Sequence, residues 1–131
     1  MDPNSKPYSA IFLHPESRDL LLRWWVEYVQ VPLLSDVHAD HVTLIYDPSP
    51  AEQQLVERGA ARIVRVVGWN ADPRGQAVSV EGLFASKNKH PHVTVSVAWP
   101  TEAVYSNALL AERIIPVAGP DLHGTIDLRF N

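Results

Sequence analysis

Two short stretches of this chain repeat the same chemistry. His41-Val42-Thr43-Leu44-Ile45 and His92-Val93-Thr94-Val95-Ser96 both begin His-Val-Thr and continue with apolar or small residues. Branched side chains at this density favour a strand, and in a strand the histidine and the threonine two positions later share one face while the valine takes the other. The chain is thereby constrained to a sheet that is dry on one side and presents imidazoles and hydroxyls on the other. Between the motifs lie 51 positions (92 − 41), room for a helix and a hairpin.

The remaining segments supply such a sheet and its helices. Residues 8–13 form a short apolar run ended by His14-Pro15, a first strand. Ser17 is placed to cap a helix over residues 18–29, where Leu21, Trp24, Trp25 and Tyr28 fall at helical spacing and Leu22, Val26 and Val29 widen the stripe, so a deeply packed helix is expected. Residues 31–36 connect to a strand over His41–Tyr46, which Asp47-Pro48 ends. Ser49-Pro50-Ala51-Glu52 combines a capping serine, a proline at the first helical position and a glutamate three residues after the cap, predicting a helix to Arg58 closed by Gly59. Residues 62–69 and 76–83 read as two strands joined by a turn at residues 70–75, a hairpin. The polar loop 85–91 leads directly into the second motif. A helix is expected between Thr101 and Arg113, capped by Thr101 or Ser106, and residues 125–130 alternate as a last, half-exposed strand after a loop carrying Pro116, Gly119 and Pro120.

At 131 residues the chain fits one domain, residues 1–131, with a normal core. It has no cysteine, which removes disulfides, thiolate metal sites and cysteine nucleophiles. The first six residues lack the order of a signal peptide and no apolar run reaches the roughly 20 residues of a membrane span, so a cytoplasmic, soluble, monomeric protein is the expectation. Eleven basic against fifteen acidic residues give a net charge of −4. That balance argues against an extended phosphate-tracking surface; a nucleotide would be held locally.

If the two motif faces meet in one groove, two imidazoles titrating near neutrality can work as acid and base, and two hydroxyls can donate to the oxygens between them. One histidine takes a proton from water while the other protonates a leaving oxygen, which suits a phosphodiester and requires neither metal nor other cofactor. His41 and His92 are thus the candidate catalytic residues, and Thr43 and Thr94 the candidate phosphate ligands. The competing, less favoured reading of His-Val-Thr is a strand with a satisfied polar face.

The paired His-x-Thr-x pattern resembles that of the two-histidine phosphoesterases, which cleave cyclic phosphates and other phosphodiesters of nucleotides and RNA. More narrowly, residues 87–95 (Lys-Asn-Lys-His-Pro-His-Val-Thr-Val) followed by residues 105–110 (Tyr-Ser-Asn-Ala-Leu-Leu) are similar to the end of the cyclic phosphodiesterase domain of plant and fungal tRNA ligases. The resemblance implies a bilobal α+β fold, with antiparallel sheets from two pseudo-symmetric lobes flanking a central cleft. It further implies hydrolysis of a 2′,3′-cyclic phosphate at an RNA or nucleotide end, with His92 leaning to the base and His41 to the acid. The interval between motifs is shorter than in many relatives, and no kinase or ligase domain is expected within these 131 residues. The same family includes enzymes that degrade cyclic di- or oligonucleotide signals, some of them phage proteins that disarm bacterial defence. A module that binds a nucleotide end without cleaving it is the alternative of another class.

Weaker candidates surround this set. Lys87 and Lys89 enter the second motif and suit phosphate steering or plain solvation. Ser106 and Asn107 suit helix capping or anion contact. Tyr8, Phe12, Trp69 and Tyr105 suit base stacking or core packing. His38 with His41, or His90 with His92, makes half a metal site each, but no carboxylate or cysteine pattern completes four ligands. His14 and His123 are isolated, and the His90 ring reads as a bystander.

Overall fold

The computed structural model describes residues 6–130; Met1 to Ser5 and Asn131, and with them nearly all of the amino-terminal stretch read for targeting, lie outside the described residues. Eight strands and three helices are found among the described residues: β1 (Tyr8–Leu13), α1 (Pro15–Trp24), β2 (Asp36–Val37), β3 (His41–Tyr46), α2 (Pro50–Gln54), β4 (Ala61–Ala71), β5 (Gly75–Gly82), β6 (His92–Val97), α3 (Tyr105–Glu112), β7 (Ile115–Pro116) and β8 (Asp121–Arg129). Among them no helix is long and apolar enough to cross a membrane.

The strands are antiparallel and run β2-β6-β3-β1-β8-β4-β5, with β5 returning to pair with β6. Six of them, β6, β3, β1, β8, β4 and β5, therefore close into a barrel. The α+β class holds. The described strands form one continuous sheet closed on itself, where sheets in two lobes were expected, because β6 finds partners on both edges: Val42 of β3 on one and residues 75–79 of β5 on the other. Closure leaves neither edge of this strand unpaired. Ile11, Val42, Val64, Val66, Val78, Val80, Val93, Val95, Leu122 and Ile126 are buried together as the core. The motif valines are fully buried, each contributing on the order of 1.5–3 kcal/mol.

Helix α1 begins earlier than the capping argument placed it. His14 is its N-cap, without a capping hydrogen bond from its side chain to the helix, and Pro15 occupies the first turn. Ser17 instead lies within the helix, buried, and its Oγ accepts from the His123 backbone N–H at 2.8 Å, joining α1 to β8. The helix continues as one π turn, Trp25–Val29, ended by Gln30 in the left-handed region (φ 60°). Only part of the expected aromatic stripe is packed: Leu21 and Trp25 are fully buried, whereas Tyr28 is 60% exposed and stacks on Trp24 with centroids 5.3 Å apart. Residues three and four apart share a helix face, so these two i, i+4 pairs divide between core and surface.

Helix α2 carries the full predicted capping box at Ser49 and Glu52 but stops at Gln54. Helix α3 uses neither Thr101 nor Ser106 as cap; Val104 holds that position. Strand β8 starts four residues before the predicted stretch, its buried positions Leu122, Gly124, Ile126 and Leu128 alternating throughout.

Candidate active site

The four motif residues line one cleft. His41, Thr43, His92 and Thr94 share a hollow of about 450 Å³ with Tyr46, Asn88, Glu102, Ala103, Val104 and Asn107. Strands β3 and β6 form its floor, joined at the Val42–Val93 pair. The turn before α3 forms one wall. The loop after β5 supplies another: the Ser86 Oγ–H donates to the Thr43 carbonyl at 2.8 Å, the Lys87 N–H to the Leu44 carbonyl at 2.8 Å, and the Asn88 N–H to Ser86 Oγ at 3.2 Å.

The two imidazoles are held differently. His92 is 8% exposed, and its Nδ1 lies 2.8 Å from the His90 carbonyl oxygen. A carbonyl only accepts, so Nδ1 carries the proton and a neutral His92 has a bare Nε2. Burial pushes its pKa below the ordinary 6.5, outweighing the hydrogen bond to His90, and the His41 and His90 charges act in the same lowering direction. His41 Nδ1 instead lies 2.7 Å from Asp40 Oδ1, with the imidazole side chain 26% and the carboxylate side chain 52% exposed. That bond is the first cause holding the Asp40 carboxyl below its usual range, aided by the charges of His41, His38 and Arg18 and opposed by partial burial. Tyr8 and Phe12 of β1 flank His41 with ring centroids at 5.4 and 5.8 Å, and the Arg129 guanidinium lies 3.6 Å from the centroid of Phe12.

Thr94, also 8% exposed, has its Oγ 2.8 Å from Ser106 Oγ and 3.3 Å from the Ala103 carbonyl oxygen. Ser106, expected as a cap or anion contact, is a buried support for Thr94. Lys87 pairs with Glu52 of α2 at 2.6 Å, chiefly through which the Glu52 carboxyl is lowered to about 2. Neither Lys87 nor Lys89 is part of the cleft lining. Tyr8 reaches the site only through its contact with the His41 ring. Tyr105 hydrogen-bonds Asp72, and Trp69 meets Trp25 edge-on at 5.7 Å. Both pack structure away from the cleft. Asp40, Tyr46, Asn88 and Glu102 escaped the sequence reading, although Asp40 directly precedes the first motif. Among the described residues no three His, Cys, Asp or Glu side chains group as metal ligands.

A larger hollow of about 880 Å³ lies over β4, β5 and β8. Four of its six charged or imidazole side chains are engaged: His14 Nε2 with Thr125 Oγ1 at 2.9 Å, Arg65 with Asp121 at 3.0 Å and Arg62 with Glu57 at 2.5 Å. Size alone does not make a site; the smaller cleft has the convergent titratable groups.

Protein-family models and the curated proteins give no match to this chain. A crystal structure of a fungal RNA kinase shares its fold. The TM-score is 0.59 at 18% identity, over 100% of this chain and 45% of the other. This chain thus corresponds to a little under half of that protein, and at this identity the likeness concerns the fold.

Proposed function

We propose that this chain is a metal-independent phosphodiesterase that hydrolyses a 2′,3′-cyclic phosphate at an RNA or nucleotide end. The observation that carries the reading is the meeting of His41, Thr43, His92 and Thr94 in one cleft. His92, neutral and bare at Nε2, takes a proton from water as its oxygen bonds to phosphorus. His41, with Nδ1 tied to Asp40, presents Nε2–H to the ribose oxygen whose bond to phosphorus breaks. The products are a monophosphate and a free hydroxyl. Ser106 donates to Thr94 Oγ, and the Thr94 hydroxyl, which in the free chain donates to the Ala103 carbonyl at 3.3 Å, turns from that long bond to a phosphoryl oxygen, with Thr43 supplying a second hydroxyl. The same reading treats β3 and β6 as equivalent strands of two pseudo-symmetric halves, for which their direct pairing is the support. Likeness in fold to an RNA kinase favours an RNA end over a free signalling nucleotide.

The test is incubation with a nucleoside 2′,3′-cyclic phosphate in EDTA, beside a panel of cyclic di- and oligonucleotides. Turnover of the 2′,3′-cyclic substrate is expected. Absence of turnover between about pH 5 and pH 8, where imidazole pairs operate, overturns the substrate assignment, and binding without product favours a recognition module.

A further inference from the structure

Residues 36–39 and β3 run along the same edge of β6, but not in step. Asp36 and Val37 pair with Val97 and Ser96, the N–H groups of His38 and Ala39 donate to the Val95 and Thr94 carbonyls at 2.9 and 2.8 Å, and Val42 then pairs with Val93. Thr94 and Val93 are consecutive, whereas Asp40 and His41 intervene between Ala39 and Val42. They form a bulge, for which β6 offers no opposing residues. Bulges re-aim side chains and concentrate beside active sites. This one is held in place: Ala39 is fully buried with φ at 54°, a left-handed conformation that costs an alanine energy and persists only where its surroundings impose it. On the other side the Leu13 N–H donates to the Asp40 carbonyl at 2.9 Å, and from α1 Arg18 Nε donates to the His38 carbonyl at 3.0 Å.

Resting on the proposed phosphodiesterase reading, we infer that Asp40 is a positioning residue, carried on this bulge, that makes His41 the proton donor by gripping its Nδ1–H and turning Nε2–H toward the leaving oxygen. A carboxylate stabilises an imidazolium; a carbonyl, which is all that His92 has, fixes a tautomer without matching its charge. The difference therefore gives the two imidazoles separate roles. Around the pair stand Tyr8 and Phe12 of β1, Arg129 over Phe12, Arg18 of α1, His38 and, across the cleft, His92, all placed above. His92 is the only one of these with a bare ring nitrogen facing the reaction.

Two substrates separate this role from a structural one. A nucleotide p-nitrophenyl phosphodiester expels a phenolate that needs no proton, whereas a ribose oxygen needs one. In Asp40→Ala, kcat for the 2′,3′-cyclic phosphate should fall about tenfold or more, the range for partners that orient a catalytic histidine, with little change in KM. The p-nitrophenyl ester should suffer far less, so the ratio of the two activities drops about tenfold. Asp40→Asn keeps an acceptor without the charge and should lie between. Equal losses on both substrates, or none on the cyclic one, overturn the inference. Long-range ¹H–¹⁵N spectra of the free protein at alkaline pH give a readout independent of turnover. His41 should be Nδ1-protonated in the native chain and should revert mainly to the Nε2–H form in Asp40→Ala. A native His41 protonated at Nε2 refutes the grip on Nδ1 even if the chain hydrolyses neither substrate, and failure on both substrates with the native tautomer intact refutes the phosphodiesterase reading on which the role rests.

Discussion

The two His-Val-Thr strands have the same first three residues and opposite circumstances. β6 is buried at all six positions and flanked by strands on both edges, so His92 is dry, tied to a neutral carbonyl and pushed toward its neutral form. β3 alternates between buried and partly exposed positions, and its histidine enters on a bulge with a carboxylate beside it. On the proposed mechanism identical sequence serves as base on one strand and acid on the other, because burial disfavours the charged form of His92 while Asp40 holds His41 by Nδ1. Role resides in the neighbours of the motif.

The largest effects should come from the imidazoles. His92→Ala and His41→Ala should each lower kcat/KM on the cyclic phosphate about 10²- to 10⁴-fold, measured in steady state; a variant with full activity removes its residue from the mechanism. The valines should show no such division: Val42→Ala and Val93→Ala each empty part of the same core and should each cost about 2 kcal/mol in urea unfolding. Clearly unequal values would mean that the strands differ in packing as well as in polar surroundings. Thr94→Val should reduce kcat/KM about tenfold, a lost hydrogen bond to a charged group, with a smaller loss in Ser106→Ala, whose hydroxyl acts through Thr94. The subtlest is pH. His92 must be neutral to accept a proton and is protonated below its pKa, which burial depresses, so the acidic limb of kcat/KM should lie below the ordinary imidazole value of 6.5. A limb above it contradicts a buried base.

Much of this was legible in the chain. Apolar and branched runs bounded by turn residues located β1 and the β4–β5 hairpin, and the His-Val-Thr repeat located β3 and β6, since those strands bury one face or lie in the wall of a filled barrel. Ser49-Pro50-Ala51-Glu52 announced α2 because a capping box is satisfied locally. Ser17 and Ser106 misled for the complementary reason: each hydroxyl is satisfied by a distant partner, the His123 N–H and Thr94 Oγ, and nothing local signals that. The amino-terminal part of β8 was hidden because Gly124 interrupts its apolar alternation. Closure of the barrel, and the bulge that seats Asp40 beside His41, depend on register between segments far apart in sequence, which single-strand patterns do not encode.

Since β6 pairs with β3 on one edge and β5 on the other, it is the staple at which the ring shuts, and the cleft is the outside of that joint. No fragment holding one motif can carry both imidazoles, and the pairing that unites them joins residues 51 positions apart (93 − 42), the kind of non-local pairing that slows folding. Recovery of catalysis during refolding should therefore track the last step of assembly, making the reaction a reporter for the closed barrel.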